Sequence, residues 1–74
     1  MAEADMIPLV SSNLAAAGFD KEEDESTGDL IIEFRSGREY VYADVPENVF
    51  RELIDAPSPG TYFNRAIKGV YTTK

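Results

Sequence analysis

The sequence predicts an α+β domain: a three- to four-stranded antiparallel meander comes first, and two C-terminal helices pack on one face of it. Two patterns carry this expectation. Leu30, Ile32 and Phe34 alternate with Ile31, Glu33 and Arg35, the period of two that gives a strand one apolar face. Val49, Phe50, Leu53 and Ile54 recur at helical spacing and make one apolar stripe. Each surface needs a partner, and each is the other's nearest candidate. Leu30, Ile32, Phe34, Val49 and Leu53 are therefore expected to share one core with Ile67 from the second helix.

In chain order, residues 1–10 read as a flexible N-terminal segment and 11–74 as a single domain. The alanines of residues 13–19 favour a helix, but Gly18, the turn signals on both sides and the position before a hairpin favour a strand. Residues 20–29 are too charged for a core and read as a long hairpin loop, of which Asp20 to Ser26 are expected to be mobile and dispensable for folding. Ser36-Gly37 supplies a tight turn, and residues 39–42 return as a strand with Tyr40 and Tyr42 on a common face. Asp44 and Glu47 have the spacing of a capping box, with Pro46 tolerable in the first turn of a helix that Pro57 stops. Ser58 as N-cap, Pro59 at the first helical position and Gly69 as a left-handed C-terminal cap frame the second helix. Its stripe would be Tyr62 or Phe63 with Ala66 and Ile67, and residues 70–73 have the character of a short terminal strand.

Composition narrows the function. The 74 residues contain no cysteine, which excludes a disulfide framework, a thiol nucleophile and a thiolate metal site. Histidine is also missing, and with it the commonest general acid/base at neutral pH. Ser11 and Ser12 have no histidine to activate them, so no catalytic residue, metal site or cofactor is expected. The acidic run lacks the ligand alternation and central glycine of an EF-hand loop. No apolar run approaches the roughly 20 residues of a membrane span. The acidic N-terminus is unlike a secretory signal, which leaves the cytoplasm as the default compartment. Net charge is −7, yet Asp55 is the last acidic side chain, with Arg65, Lys68 and Lys74 beyond it.

At the tyrosine pair and around it the chain resembles the KTSC domain family, found at the C-terminus of some lysyl-tRNA synthetases and as free-standing small proteins. The resemblance runs from about residue 11 to 71. It rests on Ser11-Ser12, the strand around Leu30 to Phe34, Gly37, Tyr40-Val41-Tyr42, Val45-Pro46 and Val49-Phe50, then on Ala56, Ser58, Gly60, Tyr62-Phe63-Asn64, Ile67-Lys68 and Tyr71. What it implies is a translation-associated or RNA-binding accessory module. The hairpin loop departs from the family pattern in looking longer and more acidic.

Two surfaces are candidate sites. Tyr62, Asn64, Arg65, Lys68 and Tyr71 combine rings for stacking bases with cations for phosphate, and Ser58 and Gly60 add free amides at a helix start. Tyr40 and Tyr42 are an alternative stacking face, unless they pack beneath the helices with their hydroxyls at the rim. The expected partner is RNA, or alternatively an unidentified protein, which suits the acidic net charge better.

Overall fold

A computed structural model describes residues 5–21 and 26–74. Four strands, β1 (Ile7–Pro8), β2 (Leu14–Lys21), β3 (Thr27–Phe34) and β4 (Glu39–Pro46), form an antiparallel sheet in the order β1-β2-β3-β4. Two helices follow, α1 (Glu47–Asp55) and α2 (Pro59–Ala66). This is the expected α+β meander with its helices after the strands. The segment 13–19 is a strand, its alanines overridden by pairing with β3. Within the expected N-terminal segment, Ile7 and Pro8 pair with Ala17 and Ala16, and Leu9 is buried in the core.

Two irregularities set which side chains face the helices. Between the pairs Leu14–Phe34 and Ala16–Glu33, β2 carries the extra residue Ala15. Between Leu30–Tyr42 and Gly28–Val45, β4 spends Ala43 and Asp44 against the single Asp29. A bulge of this kind shifts the period-two parity, so residues three apart share a face. Leu14 and Ala17 are thus both buried, and so are Tyr42 and Val45. Asp44 takes up the extra length at φ 57°, a left-handed conformation that aspartate tolerates better than most residues.

That bulge corrects one expectation. Asp44 does not cap α1, because β4 continues through Val45 and Pro46 to the helix, and Pro46 occupies the N-cap without a side-chain hydrogen bond. Ser58 does stand at the N-cap of α2 with Pro59 behind it, but its hydroxyl donates to Thr61 Oγ1 (2.9 Å) and caps no amide. The helix stops at Ala66, three residues short of Gly69, which adopts φ 77° in the turn beyond.

The charged loop is also shorter than expected. Asp20 and Lys21 pair with Asp29 and Gly28, so the hairpin strands run deep into the acidic stretch. The expectation of mobility for residues 22–25 lies outside the described residues. The terminal segment reaches β4, where Tyr42 and Thr73 form a bridge flanked by Ala43 N–H to Thr72 O and Lys74 N–H to Val41 O. One sheet edge is thereby covered, and the other ends in a two-residue strand containing a proline, both recognised ways of blunting an edge.

The core lies between the sheet and the helix pair. Leu14, Leu30, Ile32, Val45, Leu53 and Ile67 are fully buried, with Phe34, Val49, Phe50 and Ile54 packed against them. Phe50 of α1 stacks on Phe19 at 5.5 Å, and Phe63 of α2 meets both Phe34 (5.6 Å) and Tyr42 (5.7 Å) edge-to-face. The expected six-residue core is thus one cluster. Leu53→Ala is expected to cost about 2–5 kcal/mol, read as a lower urea midpoint; an unchanged midpoint would remove Leu53 from the core. Gly28 faces the paired strand so closely that a Cβ would lie 2.6 Å from Lys21 Cα and crowd the Asp20 carbonyl oxygen. Gly28→Ala is accordingly expected to destabilise by about 1–3 kcal/mol in the same assay.

Candidate functional site

Helix α2 has two outward faces, and the expected site residues divide between them. Gly60, Asn64 and Lys68 follow one another at intervals of four and line a recess of about 500 Å³ between α2 and the β3–β4 hairpin. Opposite them stand Arg35, Ser36 and Tyr40, with Ser12 and Asn13 closing one end and Phe34, Tyr42 and Phe63 forming the floor. A second recess of about 450 Å³ shares Ser12, Asn13, Arg35, Gly60 and Asn64 with the first, and extends the groove past Ser58 and Thr61 to Val10.

Tyr62 and Arg65 turn the other way. The Tyr62 hydroxyl donates to Glu52 Oε1 of α1 (2.8 Å), and the Arg65 guanidinium lies 6.0 Å from the Tyr62 ring centre. Both line a separate cleft with Glu52, Ala56 and Pro57. Tyr71 is half-buried against the core. Lys74 lies 2.8 Å from Asp29 at the sheet edge, so the cations beyond Asp55 do not form one continuous patch. The tyrosine pair also divides: Tyr42 is 6% exposed beneath Phe63, whereas Tyr40 is 41% exposed at the groove mouth, with Phe34 edge-on at 5.4 Å.

Arg35 is the groove residue that sequence reasoning missed. The alternation of β3 assigned it to the polar face, and nothing local connects it to Ser11, 24 residues earlier. In the fold its Nε–H donates to the Ser11 carbonyl oxygen. The turn that holds Ser11 is itself fixed, because Ser11 Oγ accepts from the backbone amides of Asn13 and Leu14, each at 3.2 Å. Gly60 lets the first turn of α2 approach this loop: a Cβ there would lie 3.1 Å from Ser11 Oγ. The Ser11-Ser12 pair was the available signal, and it marks a wall of the groove.

Charge distribution sets this groove apart. Among the described residues, none that lines either recess carries a carboxylate, while Arg35 and Lys68 contribute two cations, on a chain of net charge −7. Three carboxylates outside the recesses are engaged with other groups: Glu47 with Arg51 (3.2 Å) and Lys21 (3.9 Å), Glu52 with Tyr62, and Asp29 with Lys74.

The fold is that of a small α+β domain in which a four-stranded antiparallel sheet carries a helix pair. Residues 10–71 match the KTSC domain, and the chain belongs to that family. It is 38% identical over 63 residues to a protein of Tsukamurella paurometabola, covering 85% of this chain and 88% of that one. It is also 46% identical over 48 residues to a lysine–tRNA ligase of Nostoc punctiforme, where the match takes in 65% of this chain and 9% of the ligase. The chain thus spans less than a tenth of that enzyme's length. A crystal structure of a KTSC domain protein from Yersinia pestis superimposes with a TM-score of 0.85 at 29% identity, covering 97% of this chain and 96% of that one. Among the described residues no helix is long and apolar enough to cross a membrane.

The Tyr62 hydroxyl is pushed up to about 12, first by burial, then by its hydrogen bond to Glu52 and by the negative charge of Glu52 and of Tyr71; Arg65 partly offsets this. Burial, and then Tyr40, raise Tyr42 as well. A tyrosine whose folded-state pKa exceeds its unfolded value of about 10 contributes stability that is present below pH 10 and lost as pH rises toward 12. Stability to urea is therefore expected to fall between about pH 10 and 12, with Tyr62→Phe flattening part of the fall and leaving the contribution of Tyr42.

Proposed function

We propose that this domain is a translation-associated accessory module that binds single-stranded RNA along the groove between α2 and the β3–β4 hairpin. The observation that carries the reading is the groove's lining, which among the described residues holds Arg35 and Lys68 and no carboxylate, on an otherwise acidic chain. A phosphate backbone is attracted to local cations and repelled by local carboxylates, and an exposed ring beside them offers a base a stacking plane. Tyr40 supplies that ring, with Asn64 and Gly60 along the opposite wall. Tyr62 and Arg65 flank the site from the neighbouring cleft. The kinship with part of a lysine–tRNA ligase supports an RNA partner. A protein partner is the second reading, favoured by the net charge of −7 and by Val10, which is 93% exposed at the end of the groove.

The test is chemical-shift mapping with short single-stranded RNA and tRNA at low and physiological salt. Shifts are expected at Arg35, Tyr40, Asn64 and Lys68. With two cations engaged, the logarithm of the affinity is expected to fall with the logarithm of salt concentration at a slope of about −1.4. The double variant Arg35→Glu with Lys68→Glu removes binding with the fold retained, whereas Arg65→Glu weakens it far less. Shifts absent at low salt, or an unaffected double variant, would sink this reading and leave the protein partner as the better one.

A further inference from the structure

The recess has the size, the floor and the wall chemistry to hold a single nucleotide rather than only a stretch of backbone. Its volume of about 500 Å³ falls in the range of small-ligand pockets. Phe34 and Phe63 form an apolar floor, and Tyr40 stands 41% exposed at its edge.

Arg35 is already oriented. Its Nε–H is committed to the Ser11 carbonyl, so the two terminal nitrogens are left as a pair of donors on a guanidinium that one bond has fixed. A fork of that kind suits two oxygens of one phosphate. Asn13 and Asn64 also line the recess, and their side-chain amides have no hydrogen-bond partner among the described residues. A free amide presents one donor and one acceptor side by side, which matches the N6 donor and N7 acceptor of adenine. The corresponding edge of guanine offers two acceptors and calls for two donors.

Building on the RNA reading above, we infer that this recess takes one unstacked adenine nucleotide, with its base against Tyr40, its edge on the Asn64 amide and its phosphate on Arg35. Lys68 at the groove mouth then faces the phosphate of a neighbouring residue in the strand.

The experiment is an NMR titration of the intact protein at low salt with AMP, GMP, UMP and ribose 5-phosphate, followed by oligo(A) and oligo(U) of equal length. It reads the Arg35 Nε–H, the Asn13 and Asn64 side-chain amides and the Tyr40 ring. AMP is expected to shift all these groups saturably and to bind several-fold tighter than UMP or GMP, while ribose 5-phosphate moves Arg35 alone. Tyr40→Ala should weaken AMP about fivefold or more, and Tyr40→Phe, which keeps the ring, should bind as the parent does. Asn64→Ala, which removes both the donor and the acceptor of the amide, should abolish the preference for AMP over GMP.

Equal affinity for all four small ligands would overturn the inference, since the recess would then be reading phosphate alone. Oligonucleotides that shift Arg35 and Lys68 without moving Tyr40 or Asn64 would also overturn it and leave the groove as a backbone track. If neither nucleotides nor oligonucleotides bind, both the inference and the RNA reading fall.

Discussion

Phe63 sits between Phe34 of β3 and Tyr42 of β4, meeting each ring edge-to-face, and the position of everything on α2 depends on that seat. A helix of eight residues is too short to hold itself together in water, so its stability must come from packing. Edge-to-face pairs add directional preference to the area that the rings bury. With Phe63 fixed in the sheet, Gly60, Asn64 and Lys68 are turned toward the hairpin while Tyr62 and Arg65 are turned toward α1. The groove is thus a consequence of one aromatic contact and of the helical period around it.

The parity shifts in the sheet support the same seat. Without the extra residue at Ala43-Asp44, Tyr42 and Val45 would point to opposite faces, and either the aromatic partner of Phe63 or the buried valine next to α1 would be lost. These bulges are also what the sequence showed least clearly. The strand at Leu30 to Phe34 is legible because its partners demand strict alternation. The helix stripe at Val49 to Ile54 is legible because it repeats at the helical period. Ala43-Asp44, by contrast, carries no turn glycine, and its spacing to Glu47 is that of a helix cap. Local spacing alone cannot distinguish a cap from a bulge, since both place a short polar side chain just before a change of period.

The candidate site was half legible for a related reason. Asn64 and Lys68, expected on one face from their spacing of four, line the same recess, with Gly60 a turn before Asn64 and Lys68 just past the end of α2. Tyr62 lies two residues from both Gly60 and Asn64 and so does not share their face; Arg65, expected beside Lys68, lies over the Tyr62 ring instead, with the helix ending at Ala66 before Lys68 is reached. The hairpin side is non-local. Arg35 becomes part of the groove because the β2–β3 pairing of Leu14 with Phe34, extended by Arg35 N–H to Asn13 O, lays it against the Ser11 loop, 24 residues away in the chain. The hydrogen bond that creates this proximity uses a backbone carbonyl, which every residue has, so no residue type at Ser11 announces it.

Net charge disfavours non-specific attachment to polyanions, but it is a property of the whole chain and a binding site acts over a shorter length scale. At physiological salt, charges separated by more than about 8 Å of solvent are largely screened, so an approaching phosphate responds to the side chains lining its own site. Three of the carboxylates are held at other places by partners of their own: Glu47 by Arg51 and Lys21, Glu52 by Tyr62, and Asp29 by Lys74. Such exposed pairs contribute little stability, typically about 0–1 kcal/mol each. Their effect here is on position: they engage acidic side chains with cations or hydroxyls outside the groove. Among the described residues, Arg35 and Lys68 have no carboxylate partner and line a recess without one, so the nearest formal charges to a ligand there are cationic although the chain as a whole is acidic.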